Sequence, residues 1–192
     1  MKPMTRMWLR MRRSARDLSG DCRGLAAVEF AMIVPLMLVL FFGTVEFSSG
    51  IAVDRKVTIM ARTLSDLTSQ NISVTDTMLT NIFNASTGIM TPYSTTPVNS
   101  TITELYVDPT SKVARVQWSK GSSARANGTT VAIPTALQVG GTYLIYSEVS
   151  YLYVPTVGYI MAKAGINLSD FSYTRPRQST CVMYKTTVCT TT

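Results

Sequence analysis

The sequence predicts an α+β fold: a long N-terminal helix, transmembrane at first and amphipathic beyond, followed by a small head with an antiparallel β-sheet. Three observations predict it. Residues 25–45 are apolar except for one carboxylate, apolar residues then recur at helical spacing to residue 67, and the remainder alternates with period two between turn signals. With 192 residues, 46% hydrophobic and 15% charged, the chain supports one modest core. Four segments follow: a basic leader over 1–24, a transmembrane helix over 25–45, its amphipathic extension over 46–68, and the head over 69–192.

The leader holds Lys2, Arg6, Arg10, Arg12, Arg13, Arg16 and Arg23 against Asp17 and Asp21, so most of the net charge of +7 lies there. The body has no basic stripe suited to phosphates, which argues against a nucleic-acid partner. From Leu25 to Val45 the 21 residues LAAVEFAMIVPLMLVLFFGTV rise about 31 Å, enough to cross a hydrocarbon core. A secretory signal would have a shorter apolar region, ended by a small-x-small site that is missing here. Because seven Lys and Arg precede the span, the positive-inside rule puts the N-terminus in the cytoplasm and exports the head. The expected arrangement is a membrane crossed once, with the head on the side away from the cytoplasm. Pro35 and Gly43 lie within the span, where both residue types are common.

Glu29 is the informative residue of the span. A carboxylate at that depth costs about 2.5–3.5 kcal/mol on insertion scales, so something must compensate for it. It lies five residues after Gly24, and a cut there would make Leu25 a new N-terminus one helical turn away. The free amine of one helix would then neutralise Glu29 of a neighbour and set the stagger between subunits.

Beyond the span, Val53, Val57, Met60, Leu64 and Leu67 form an amphipathic stripe, with Asp54, Arg55, Arg62 and Asp66 off it. A short helix is expected over 75–85, capped by Thr75 or Asp76. A hairpin follows, with strands 101–107 and 113–118 around Asp108-Pro109-Thr110. Residues 121–130, GSSARANGTT, are expected to be a mobile loop. The span 142–154 alternates with apolar residues on both faces and suits a central strand, and a last strand is expected over 171–174. Tyr143, Tyr146, Tyr151 and Tyr153 read as sheet packing before they read as a carbohydrate platform.

Cys22 would leave with the leader, so Cys181 and Cys189 remain as a pair in an oxidising compartment and are expected to be bonded. With no His in the chain, Ser-His-Asp and Cys-His nucleophiles and His-ligated zinc are excluded. No phosphate loop, nucleophile elbow or dinucleotide turn is found, so the chain is read as a non-enzyme with no catalytic residue, cofactor or metal.

A basic leader, Gly24, four residues and Glu29-Phe30 at the head of an apolar helix resemble the type IV prepilin processing signal, G-x-x-x-x-E-F. More narrowly, residues 20–68 resemble the N-terminal segment of TadE/TadG-like pseudopilins from tight-adherence (Flp pilus) systems, including the Pro, Gly and Glu-Phe that follow and a helix ending near Ala61-Arg62. The first residue after the cut, Leu25, departs from the Phe that many type IV pilins carry. The resemblance implies cleavage between Gly24 and Leu25 by a prepilin peptidase. It also implies assembly through Glu29 and Phe30, in membrane lipid, with other pilus or pseudopilin subunits and an inner-membrane platform. The alternative is a membrane-anchored periplasmic binding module that never enters a filament.

Overall fold

The computed structural model describes residues 24–155, 165–186 and 189. Most of the leader, with Cys22, lies outside them. The chain divides into two compact units, Met1–Val45 and Glu46–Thr192. In the first, helix α1 (Leu25–Ser69) begins and is apolar on every side, with Pro35 inside it. Every side chain from Leu25 to Val45 is at least partly exposed, and none of the most apolar 18-residue window is buried. A helix apolar all round belongs in a large core or in a membrane, and here no core surrounds it. One long apolar helix of this kind fits a single-pass membrane anchor.

The second unit is the head. After the later turns of α1 come β1 (Ser73–Val74), α2 (Asp76–Thr87), β2 (Val98–Val107), β3 (Ala114–Gly121), β4 (Thr130–Val131), β5 (Tyr143–Tyr153), β6 (Ile166–Thr174) and β7 (Met183–Tyr184). Strands 2 to 6 form one antiparallel sheet in the order β4-β3-β2-β5-β6, while β1 and β7 pair in parallel on their own. β5 therefore has a neighbour on both sides along its length, and its near-continuous apolar sequence follows from having both faces covered.

One face receives α1. Val53, Val57, Met60, Ala61 and Leu64 pack with Ile102, Trp118, Ile145, Val149 and Tyr151 in the main core. The stripe read from sequence thus packs on the chain's own sheet. Its last turn rotates away from the expected line, because Ser65, Thr68 and Ser69 are buried there while Leu67 is half-buried. Polar rungs tie the same faces. Thr58 donates to Asp170 (2.5 Å), Ser147 to the Ala61 carbonyl (2.5 Å), and Ser65 to the Ser172 hydroxyl (3.1 Å). From Glu46 to Ser65 the helix advances about 28 Å. From Ile166 to Thr174, β6 advances about 26 Å. The partners climb in step, so α1 runs alongside β6. The opposite face packs Leu105, Val107, Val116, Leu144 and Tyr146 under Ile133.

Local sequence explains the joints. Thr75 caps α2 by accepting from the Met78 amide (3.3 Å). At the hairpin turn, Asp108 Oδ1 accepts from the amides of Thr110 (2.8 Å) and Ser111 (2.7 Å). Gly121 ends β3 at φ +131°, where a Cβ would collide with the Ser100 carbonyl. β6 starts at Ile166, earlier than the 171–174 segment expected. Its first half, INLSD, alternates polar and apolar without a β-branched run, and pairing with β5 from Tyr153 to Val149 supplies what propensity lacks.

Candidate functional site

At the start of α1, Gly24 precedes the first α-helical residue, and Leu25, Val28, Glu29 and Phe30 are all exposed. A Cβ built on Gly24 meets nothing within 4 Å. Nothing among the described residues therefore requires glycine there. Glu29 stands one turn, about 6 Å, above Leu25 on the same side of the helix. Among the described residues no hydrogen bond or ion pair engages it. Glu29 is thus an exposed carboxylate that has no partner among the described residues, on the same side of the helix as Leu25.

A second polar constellation closes the head around its C-terminal tail. β2 carries Glu104 on the same face as Ile102, 2% exposed. Its Oε1 accepts from the Val182 amide (2.6 Å), while Trp118 Nε1 donates to the Val182 carbonyl (2.8 Å). Two core side chains thereby grip both backbone polar groups of one tail residue. Burial pushes the Glu104 carboxyl up to about 8, against the opposing pull of the Val182 amide and Trp118. The acid is therefore mostly protonated at neutral pH, which is how a lone carboxyl is tolerated in a core. Cys181 and Cys189 are disulfide-bonded, with Cα atoms 6.1 Å apart, and Cys181 packs on Tyr106 and Tyr143. The tail is held further by the amides of Met183 and Lys185, which donate to the Ile72 (3.0 Å) and Val74 (2.9 Å) carbonyls. Lys185 also pairs with Asp76 (2.6 Å), and Arg177 pairs with Asp66.

On the sheet face away from α1 lies a polar cavity of about 230 Å³, lined by Asn99, Thr101, Arg125, Glu148, Ser169 and Phe171 among others. Arg125 forms a bidentate ion pair with Glu148, and its guanidinium lies 5.5 Å from the centre of the Tyr146 ring. Tyr146 donates to the same carboxylate (2.9 Å) and stacks on Tyr173, their centroids 4.6 Å apart. Burial works to raise the Glu148 carboxyl, and Arg125 with Tyr146 outweigh it, holding it below the ordinary carboxylate range. These contacts correct the expectation of a mobile loop over 121–130. Ser123 also donates its amide to Thr101 (3.0 Å), and the amides of Ser122 and Gly128 donate to the Ser100 (2.9 Å) and Val116 (2.7 Å) carbonyls, so the loop is pinned to the sheet along its length. The tyrosines are structural, since Tyr143, Tyr146 and Tyr151 are buried and Tyr153 is half-buried. Among the described residues no three Cys, Asp or Glu side chains converge as a metal would need.

Sequence reasoning singled out Gly24, Leu25, Glu29, Phe30, Cys181 and Cys189, and missed Glu104 and Arg125. The structure brings the two cysteines together at the tail and leaves the first four on the exposed head of α1. Glu104 had a signal: in TITELYV it shares a face of the strand with Ile102 and Tyr106. Arg125 had none, because its partner lies 23 residues along the chain.

No match is found for the chain among curated proteins or among solved structures. Residues 24–64, which begin at Gly24 and take in most of α1, match the family model described as TadE-like protein. The pattern carried by Gly24, Glu29 and Phe30 thus falls inside the matched stretch, and it is over its N-terminal helix that the chain is similar to that family.

Proposed function

We propose that the chain is a minor pseudopilin or pilus assembly factor of a tight-adherence system, cut after Gly24 by a prepilin peptidase and assembled through α1. The observation that carries the reading is the unpartnered Glu29 one turn from Leu25, on a helix apolar on every side and inside the TadE-like match. A helix that only anchors has no use for that carboxylate, whereas one that packs against another processed helix has an amine to offer it. In this reading the span lies in the inner membrane with the head outside the cytoplasm. The partners are the peptidase, other pilus subunits and the assembly platform, and no catalysis is involved.

N-terminal sequencing of protein extracted from host membranes tests the cut. A start at Leu25 supports the reading, and a start at Met1 with the peptidase present defeats it. Glu29→Gln tests the assembly step, because it keeps the shape, removes the charge and eases insertion. Breaking one partner of a buried ion pair costs about 3–5 kcal/mol. Association should therefore fall by roughly two to four powers of ten, read as lost co-purification with pilus components at normal processing and membrane level. Full assembly by the variant would instead favour the membrane-anchored binding module.

A further inference from the structure

At the end of the head where α1 enters, an open apolar cleft of about 360 Å³ lies between the Glu46–Asp54 stretch of the helix and the last pair of the β5–β6 ladder. Gly50, Tyr153, Pro155 and Leu168 help line it, and the charged groups on its wall are Glu46 and Asp54. Tyr153 spans it, with its ring 3.6 Å from the position of a Cβ on Gly50 and its hydroxyl donating to the Glu46 carbonyl (3.3 Å). Around this end Phe47 is 70% exposed, Ile51 42%, Leu152 48%, Val154 43% and Ile166 55%. Large apolar side chains gathered at one end of a small domain mark a surface meant to be covered.

The position of this surface along the chain says what covers it. Glu46 directly follows the apolar span, so Phe47 and Ile51 lie about 3 and 9 Å beyond it along the helix. The polar interfacial layer outside a hydrocarbon core is about 5–8 Å deep on each side. Phe47 therefore falls within that layer and Ile51 at its outer edge, and the ladder end beside them, reached through Tyr153, falls at the same level. Tyrosine with an apolar body and a bonded hydroxyl suits this depth.

We propose that this end of the head is seated in the bilayer surface, with Phe47, Ile51, Leu152, Val154 and Ile166 in contact with lipid. The proposal rests on the reading that residues 25–45 span the membrane, and it adds a second contact: the head docks on the lipid from which its helix emerges. Its basis is apolar, since among the described residues the cleft wall carries acidic groups and no basic ones that would seek anionic lipid.

The test uses the full chain in vesicles of phosphatidylethanolamine and phosphatidylglycerol. Cys22→Ser removes the unpaired thiol, leaving the bonded Cys181–Cys189 pair. A spin label is then attached at Leu152→Cys, at Ile166→Cys or, as the far-end reference, at Thr110→Cys in the β2–β3 turn. Oxygen concentrates in lipid and a nickel chelate stays in water. At 152 and 166 collisions with oxygen should exceed those with nickel several-fold, and at 110 the order should reverse. Nickel predominating at 152 and 166, in protein that still floats with the vesicles, overturns the docking and leaves the span reading standing. Labels at 152 and 166 shielded from both agents mean that a second copy or the chain's own residues 156–164 cover the surface, which also overturns it. Protein that fails to float defeats the span reading, and the docking with it.

Discussion

Glu104 makes the stability of the head depend on pH in a direction opposite to that of a salt-bridged acid. Its carboxyl is pushed up to about 8 in the folded chain by burial, against 4.5 as the ordinary value. Between those values the folded state holds a proton that the unfolded state has released. Stability is therefore full below about pH 4.5 and declines as pH rises, by roughly 1.4 kcal/mol per unit until the folded group ionises. Glu104→Gln keeps an acceptor for the Val182 amide and removes the titration. In urea unfolding of the full chain in detergent, the variant and wild type should be close at pH 5. By pH 8 the variant should be the more stable by several kcal/mol, and a gap that stays constant with pH would sink the claim. Trp118→Phe acts on the other backbone group of the same residue. It leaves the Val182 carbonyl without its indole donor and should cost about 1–3 kcal/mol at any pH.

Among the elements, the tail after β6 carries only the two-residue β7 and the 122–129 loop carries none, and side chains together with backbone bonds to the rest of the head hold both in place. The disulfide closes a loop of nine residues, which chain-entropy arithmetic values at roughly 2.5 kcal/mol. Cys189→Ser should lower the urea midpoint accordingly, and both cysteines of unreduced wild type should resist alkylation in peptide mass spectrometry. Arg125→Ala should release the loop, so that limited proteolysis cuts between Ser122 and Thr129 in the variant and spares the wild type. Regular elements were legible wherever a period ran for several residues: the α1 stripe, the β2–β3 hairpin and the long alternation of β5. β6 was legible only in its second half, where Phe171 and Tyr173 raise its strand propensity. β1 and β7 are two residues each and join across the length of the head, so no local pattern could announce them.

For the molecule as a whole, the two ends of the sequence were not equally readable. The residues proposed for processing and assembly follow one another within seven positions, Gly24 to Phe30, and a short linear pattern needs no fold to be recognised. The grip on the tail joins Glu104, Trp118 and Val182 from three separate segments and becomes visible only once the chain has folded. This separation predicts independence. Because a Cβ at Gly24 meets nothing among the described residues, Gly24→Leu should leave the head folded with its disulfide formed, while uncut precursor accumulates in the membrane. Precursor that also loses the Cys181–Cys189 bond would show that folding and processing are coupled.

The course of α1 alongside β6 has a mechanical consequence. A pull on the helix from its Glu46 end, along its own axis, slides it over the sheet and loads the Thr58–Asp170, Ser65–Ser172 and Ala61–Ser147 ties in shear, together with the apolar stripe between them. Contacts loaded in parallel yield together or not at all, whereas a sideways tug would open them one after another, like a zip. The head therefore holds its helix most firmly against force directed along the helix, which is the direction of tension in a chain drawn out of a membrane.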